Sequence, residues 1–181
     1  MVTTKLMTIA EYAALPDDGW RYELDRGELR RMPAGGVQHG GIGLRIGRRL
    51  GDYVDEHGLG LAMVETGFIF AADPPTLRAP DVAFIRTERL PPPAELPLFS
   101  RVAPDLAIEV VSPNDEEAEL AAKVAFYLAH GVPLVWVVYP DAREVVVHRP
   151  GQAARTHRMG DTLTGEEIVP GFRLPILDIF G

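Results

Sequence analysis

The chain has 181 residues, enough for one domain with a substantial core, and its mixed apolar and charged composition is that of a globular protein. It contains no cysteine, which excludes disulfides, thiolate metal sites and cysteine nucleophiles. A formal net charge of -8 argues against tight non-specific binding to nucleic acid.

Thr8-Ile-Ala-Glu11 has the form of a capping box and predicts a short helix ending near Leu15-Pro16. The start of the chain lacks the basic, apolar and small-residue succession of a secretory leader. No apolar run approaches a membrane span, so the expected location is the cytoplasm. Trp20 to Leu24 and Glu28 to Met32 predict a hairpin around Asp25-Arg26-Gly27. Seven arginines between positions 21 and 49 against Glu23, Asp25 and Glu28 make this stretch locally basic. Within it, Gln38 to His57 predicts a long helix. Ile42, Leu44, Ile46, Leu50, Tyr53 and Val54 fall at amphipathic spacing, glycines 40, 41, 43 and 47 weaken the start, and Gly58 is the expected C-cap.

Leu61 to Ala71 predicts a strand, with Asp73-Pro-Pro75 as the following turn, and Asp81 to Arg86 predicts a second. Pro91 to Pro97 is a long loop of the kind that serves as a flap. Asp105 to Val111 is the third strand. Ser112-Pro-Asn-Asp115 predicts the cap of a second helix from about Glu116 to His130, closed by Gly131. Leu134 to Tyr139 is nearly all apolar and is expected to be buried on both faces; Glu144 to Arg149 follows it as another strand. Turns and short strands then run through Leu163 to Phe172. This order predicts a mixed α/β domain over residues 1–181, a central mixed sheet flanked by helices with β-hairpins added at both ends.

Two carboxylates interrupt strand-like apolar runs: Asp81 in Arg78-Ala-Pro-Asp-Val-Ala-Phe-Ile85, and Glu109 in Ala103-Pro-Asp-Leu-Ala-Ile-Glu-Val-Val-Ser-Pro113. A carboxylate in such a run costs several kcal/mol unless it is compensated. Two on neighbouring strands compensate each other by sharing a divalent cation, and hard oxygen ligands suit Mg2+ or Mn2+ rather than zinc. Asp105 lies about 13 Å from Glu109 along one strand, too far to share an ion, and reads as a hydrogen-bonding residue at a strand start. The chain has only two lysines, Lys5 and Lys123. Lys123 shares its helix face with Leu120 and Tyr127, and a helix packed back on the Glu109 strand brings its ammonium to the carboxylates. Alone, Asp81 is a plausible turn residue and Lys123 a solvated charge. In this order, the three point to phosphodiester hydrolysis.

The chain resembles the Uma family of restriction-type endonucleases, within the PD-(D/E)XK nuclease superfamily. The matching pieces are Tyr22-Glu-Leu-Asp-Arg-Gly-Glu28, Gln38-His39, Glu65-Thr-Gly-Phe68, Ala79-Pro-Asp-Val-Ala-Phe84, Asp105 to Pro113, Lys123 with Tyr127, Val135-Trp-Val-Val-Tyr-Pro140 and Leu174 to Phe180. The resemblance implies a restriction-endonuclease-like core, DNA as substrate and a magnesium or manganese cofactor. It implies that Asp81 and Glu109 are catalytic metal ligands. It places the usual lysine at Val111, so that Lys123 supplies the ammonium from the next helix, as in several branches of the superfamily. It adds Glu23 as a further catalytic glutamate, with His39 and Tyr127 as auxiliary residues. A homodimer is expected, since cleaving both strands needs two sites and the apolar Leu174 to Phe180 stretch offers an interface. The competing expectation is an inactive nucleic-acid- or protein-binding module on a nuclease fold, favoured by the acidic charge. A double-stranded β-helix metal or sugar binder needs a His-X-His cluster that the sequence lacks.

Overall fold

The computed structural model describes residues 6–113 and 115–181. Helix α1 (Ile9–Ala13) opens with a reciprocal cap: Glu11 N donates to Thr8 Oγ1 at 3.2 Å, and Thr8 N donates to the Glu11 carboxylate at 2.9 Å. Strands β1 (Arg21–Asp25) and β2 (Glu28–Met32) pair antiparallel around Arg26-Gly27. Both turn residues have positive φ, 49° and 83°, the combination that matches the twist of a tight hairpin. Helix α2 (Val37–His57) buries one stripe, Ile42, Ile46, Leu50 and Val54, and ends at Gly58 with φ 62°.

The chain continues through β3 (Gly60–Val64), β4 (Phe68–Ala72), β5 (Pro75–Arg78), β6 (Val82–Arg86) and β7 (Leu106–Val110) to helix α3 (Glu117–Ala129). It closes with β8 (Leu134–Tyr139), β9 (Glu144–His148), β10 (Arg155–His157), β11 (Thr162–Thr164), β12 (Arg173–Pro175) and helix α4 (Ile176–Phe180). Six strands form the central sheet in the order β10-β9-β8-β7-β6-β3; β2-β1-β5-β4 form a smaller one, and β11 pairs β12. The pairing of β7 with β8 is parallel, bridged by α3, while the other ladders of the central sheet are antiparallel. The result is a mixed α/β architecture.

Side-chain alternation along β7 and β8 separates two apolar layers. Leu106, Ile108, Val110, Leu134, Trp136 and Val138 face the α2 stripe and the C-terminal residues Leu174, Ile176 and Ile179. Ala107, Val135 and Val137 face Leu120, Val124 and Tyr127 of α3.

Four expectations change. The single strand expected from Leu61 to Ala71 is two, belonging to different sheets. Glu65 takes a left-handed φ of 48°, and Gly67 packs so tightly that a Cβ there would lie 2.7 Å from the Phe99 ring; the chain turns between them. Pro75, expected in a turn, starts β5, where a missing N–H is tolerated, and its carbonyl accepts from Gly27 N at 2.7 Å. The cap expected from Ser112 to Asp115 is displaced. Asn114 lies outside the described residues, Asp115 accepts from Ser112 N at 2.8 Å, and α3 begins after Glu116 with no side-chain cap. The apolar C-terminus, expected to serve a dimer interface, is consumed by the protein's own core: Leu174, Ile176 and Ile179 are buried, Arg45 donates to Ile179 O at 2.7 Å, and Arg49 pairs with Asp178 at 2.6 Å. Of that stretch, Leu177 stays exposed, so only a small apolar surface there is left for an interface.

Strand β3 approaches β6 through Gly60, where φ is 156° and a Cβ would fall 2.0 Å from the Ile85 carbonyl oxygen. Gly60→Ala should lower stability by about 1–3 kcal/mol in urea unfolding, the cost of overpacking. Gly51, inside α2 with nothing within 4 Å of its Cβ position, is the control; Gly51→Ala should raise stability by about 0.5–1 kcal/mol. Equal effects at the two positions would contradict the close strand contact.

Candidate active site

Glu109 interrupts an otherwise apolar strand on the face that meets α3, and it is 6% exposed. Lys123 Nζ donates to Glu109 Oε2 at 2.8 Å, and the Tyr127 hydroxyl donates to Oε1 at 2.7 Å. Lys123 and Tyr127 are four residues apart on α3, so one helix face presents both donors to the strand. Val111 packs with the apolar cluster beneath α3 instead of presenting an ammonium.

The antiparallel register of Val82 opposite Ile108 brings Asp81, just before β6, alongside Glu109. Asp81 Oδ2 accepts from Val110 N at 2.7 Å and lies 3.2 Å from His39 Nε2. His39 stands in the first turn of α2. The chain before the helix closes over its ring at Gly35, where a Cβ would lie 2.7 Å from His39 Nδ1. Glu23 reaches the site from β1 and is 2% exposed. Its Oε1 accepts from Ala79 N at 3.0 Å and lies 3.7 Å from Lys123 Nζ; its Oε2 accepts from Arg78 Nη1 at 2.9 Å.

Asp81, Glu109, Lys123, Glu23, His39 and Tyr127 are thus contributed to one place by β1, the β6 start, β7, α2 and α3. The residue that sequence reasoning missed is Arg78, the last of β5, which pairs with Glu23 and, at 3.3 Å, with Asp25. Its only sequence signal is its place three residues before Asp81. Asp105 keeps the separate role expected of it: it is buried and accepts from Arg86 N at 3.0 Å and from Arg89 at 2.7 Å.

Burial pushes the Glu109 carboxyl up to about 7, and the Asp81 charge adds to this; Lys123 and Tyr127 pull it down without prevailing. Burial also works against ionised Asp81, but the His39 and Val110 N–H hydrogen bonds outweigh it and leave its pKa below the ordinary value. His39 is raised by its hydrogen bond to Asp81, against its own burial. Lys123 is raised as well: burial disfavours the ammonium, but Glu109, Glu23 and Asp81 more than compensate. The Tyr127 phenol, buried beside Glu109 and Glu23, lies well above its ordinary value and stays a donor.

Among the described residues, no group of three or more histidine or acidic side chains forms a ready-made metal cluster. No helix among them is long and apolar enough to cross a membrane. A hollow of about 520 Å³ beside α2, lined by Val37, Gln38, Arg45, Pro140, Arg143 and Phe180, contains none of the six residues. The hollow holds no paired acids; these lie instead in the buried ionic cluster.

The fold is similar to a crystal structure from Anabaena variabilis ATCC 29413 described as a "putative nuclease belonging to DUF820". The TM-score is 0.84 at 22% identity, covering 96% of this chain and 97% of that one. No curated protein matches the chain. A family model described as "Putative restriction endonuclease" matches residues 9–177, nearly the whole length over which the strands and helices above assemble the site, and the chain belongs to that family, Uma2.

Proposed function

We propose that the protein is a metal-dependent DNA endonuclease, with Asp81, Glu109, Lys123 and Glu23 as its catalytic residues. The observation that carries this reading is the Lys123 ammonium, 2.8 Å from Glu109 on the strand alongside Asp81. Family membership supports a nuclease, and the fold agrees with it.

The donors fit a hard divalent ion. Asp81 Oδ2 is engaged, but Oδ1 accepts no hydrogen bond among the described residues. Glu109 is a buried carboxylate whose ionisation is opposed by burial and by Asp81, a cost that a shared cation relieves. Asp81 and Glu109 would hold Mg2+ or Mn2+, with backbone carbonyl and water completing the shell. When bound, the ion supplies Lewis-acid polarisation of the phosphoryl group and a more acidic water.

The other roles belong to the chain's own groups. Lys123, kept charged by Glu109 and Glu23, donates to a phosphoryl oxygen as negative charge builds there. Tyr127 fixes Glu109 Oε1 and so sets the plane of the carboxylate. His39 and Val110 N–H fix Asp81 Oδ2 and leave its other oxygen available. The second reading is an inactive binding module on the same fold, favoured by the net charge of -8 and by the lack of a third acidic or histidine ligand among the described residues. Metal affinity separates the two.

Calorimetric titration with Mn2+ should show one site, lost in Asp81→Ala; equal affinity in both proteins would defeat the metal assignment. Because Glu109 releases its proton near 7, Mn2+ affinity should fall about tenfold for each pH unit below that point and level off above it. A flat profile from acid to neutral pH would exclude Glu109 as a ligand. On plasmid and branched DNA with Mg2+, Lys123→Ala should lose roughly 10²–10³ in cleavage rate. Lys123→Arg should recover little, because a planar fork cannot occupy a point-charge position. Full activity in either variant would remove Lys123 from the mechanism.

A further inference from the structure

Arg78 sits where the small sheet meets the site. Its side chain is 15% exposed. Nη1 donates to Glu23 Oε2 at 2.9 Å, Nη2 lies 3.3 Å from Asp25 Oδ2, and Cζ lies 5.3 Å from the centre of the Phe126 ring on α3. Both ends of the guanidinium fork are thus given to β1 carboxylates, while its face lies against the helix that carries Lys123.

Lys123 Nζ stands between two carboxylates, 2.8 Å from Glu109 and 3.7 Å from Glu23. A compact ammonium between two anions settles towards the one whose charge is less compensated. Glu23 already accepts from Arg78 and from Ala79 N–H. Glu109 receives, besides Lys123, only the neutral Tyr127 hydroxyl among the described residues. We propose that Arg78 is a positioning residue: by neutralising Glu23, it holds Lys123 on Glu109.

The inference rests on the reading of Lys123 as the site's ammonium. Without Arg78, Glu23 would be a buried carboxylate with one cation in reach. It cannot swing away freely, because Ala79 N–H holds its Oε1. Lys123, now 3.7 Å from Glu23, would then be drawn about 1 Å towards it, to hydrogen-bond distance, and a misplacement of about 1 Å can cost roughly a hundredfold in rate. A purely structural Arg78, stapling β1 to β5, behaves differently. Removing Glu23 as well would then add damage, whereas in the positioning role it removes the competitor and relieves the defect.

The two lysines make this measurable without reference to cleavage. Protein labelled with 15N-lysine carries two side-chain ammonium groups, and Lys5→Arg identifies the signal of Lys123. That signal should be displaced in Arg78→Met, whereas in Arg78→Met/Glu23→Gln it should coincide with that of Glu23→Gln alone. In parallel, kcat on plasmid DNA with Mg2+ should fall roughly a hundredfold in Arg78→Met with KM nearly unchanged, and Arg78→Met/Glu23→Gln should match Glu23→Gln. Should Arg78→Met fail to fold by circular dichroism, the same comparison is made with Arg78→Gln, whose neutral amide can still donate to Glu23 but brings no charge and no further lysine signal. An undisplaced Lys123 signal in the folded single variant, or a displacement undiminished by Glu23→Gln, overturns the proposal. A wild-type protein that cleaves no DNA refutes the nuclease reading instead, and leaves the Lys123 signals to decide the role of Arg78.

Discussion

A buried charge must be answered by another, and that constraint organises this molecule. An alternating chain of charges runs from the core to the surface: Glu109, Lys123, Glu23, Arg78, Asp25 and, at 3.1 Å from Asp25, Arg30. Glu109 and Glu23 lie almost wholly out of water, whereas Arg30 is half exposed. Each inner charge is tolerated because the next one outward compensates it. Removing one member strands its neighbours, which typically costs about 3–5 kcal/mol for a buried pair. Such a chain is weak evidence for stability, because apolar residues would pack as well. It is better explained by what it holds in place.

The architecture follows from that requirement. Glu109 on β7 and Asp81 just before β6 lie side by side in the central sheet, and neither strand carries a counter-charge beside them. The cations are therefore delivered from outside the sheet: Lys123 from α3, His39 from α2 and Arg78 from the smaller sheet. Asp105 shows how a purely structural acid differs. It lies on the same strand face as Glu109 and is equally buried, yet Arg86 and Arg89 both pair with it and fasten the end of β6 to the start of β7. One acid between two arginines is a rivet. In the site Asp81 has His39 and Glu23 has Arg78, but the ionisation of Glu109 is still opposed by burial and by Asp81 despite Lys123, and that leaves electrostatic work for a bound cation to complete.

Local signals in the sequence proved dependable where local chemistry decides the outcome. The Thr8–Glu11 cap, the Arg26-Gly27 turn, the Gly58 terminus of α2 and the bounds of β8 are each set by residues within one turn or one strand. The break at residues 65–67 was not visible, because Glu65 is an ordinary strand residue until Phe99, far along the chain, crowds Gly67. Helix α4 looked like an unpartnered apolar tail, because its partner Arg45 stands 134 positions earlier. Within the site, Asp81 and Glu109 declare themselves by interrupting apolar runs and Lys123 by the rarity of lysine in this chain, whereas Glu23, in the polar stretch Arg21 to Asp25, is pointed to only by the family resemblance. Arg78 had no such contrast: it is one arginine among many, and its meaning lies in a contact with Glu23, 55 positions away.

The placement of the lysine on a helix has a physical consequence. A lysine at position 111 would share the backbone of β7 with Glu109, and their separation would follow from strand geometry alone. Lys123 reaches the same carboxylate from α3, so its separation depends on how that helix docks. Docking is governed by Leu120, Val124 and Tyr127 against the sheet, and by Phe126, which meets Phe70 of the smaller sheet edge-on at 5.2 Å and the guanidinium of Arg78. The small sheet thereby becomes part of the site's geometry. A residue there can alter the distance between Lys123 and Glu109 without touching either, because the ammonium takes its position from a balance between two carboxylates held by two different sheets.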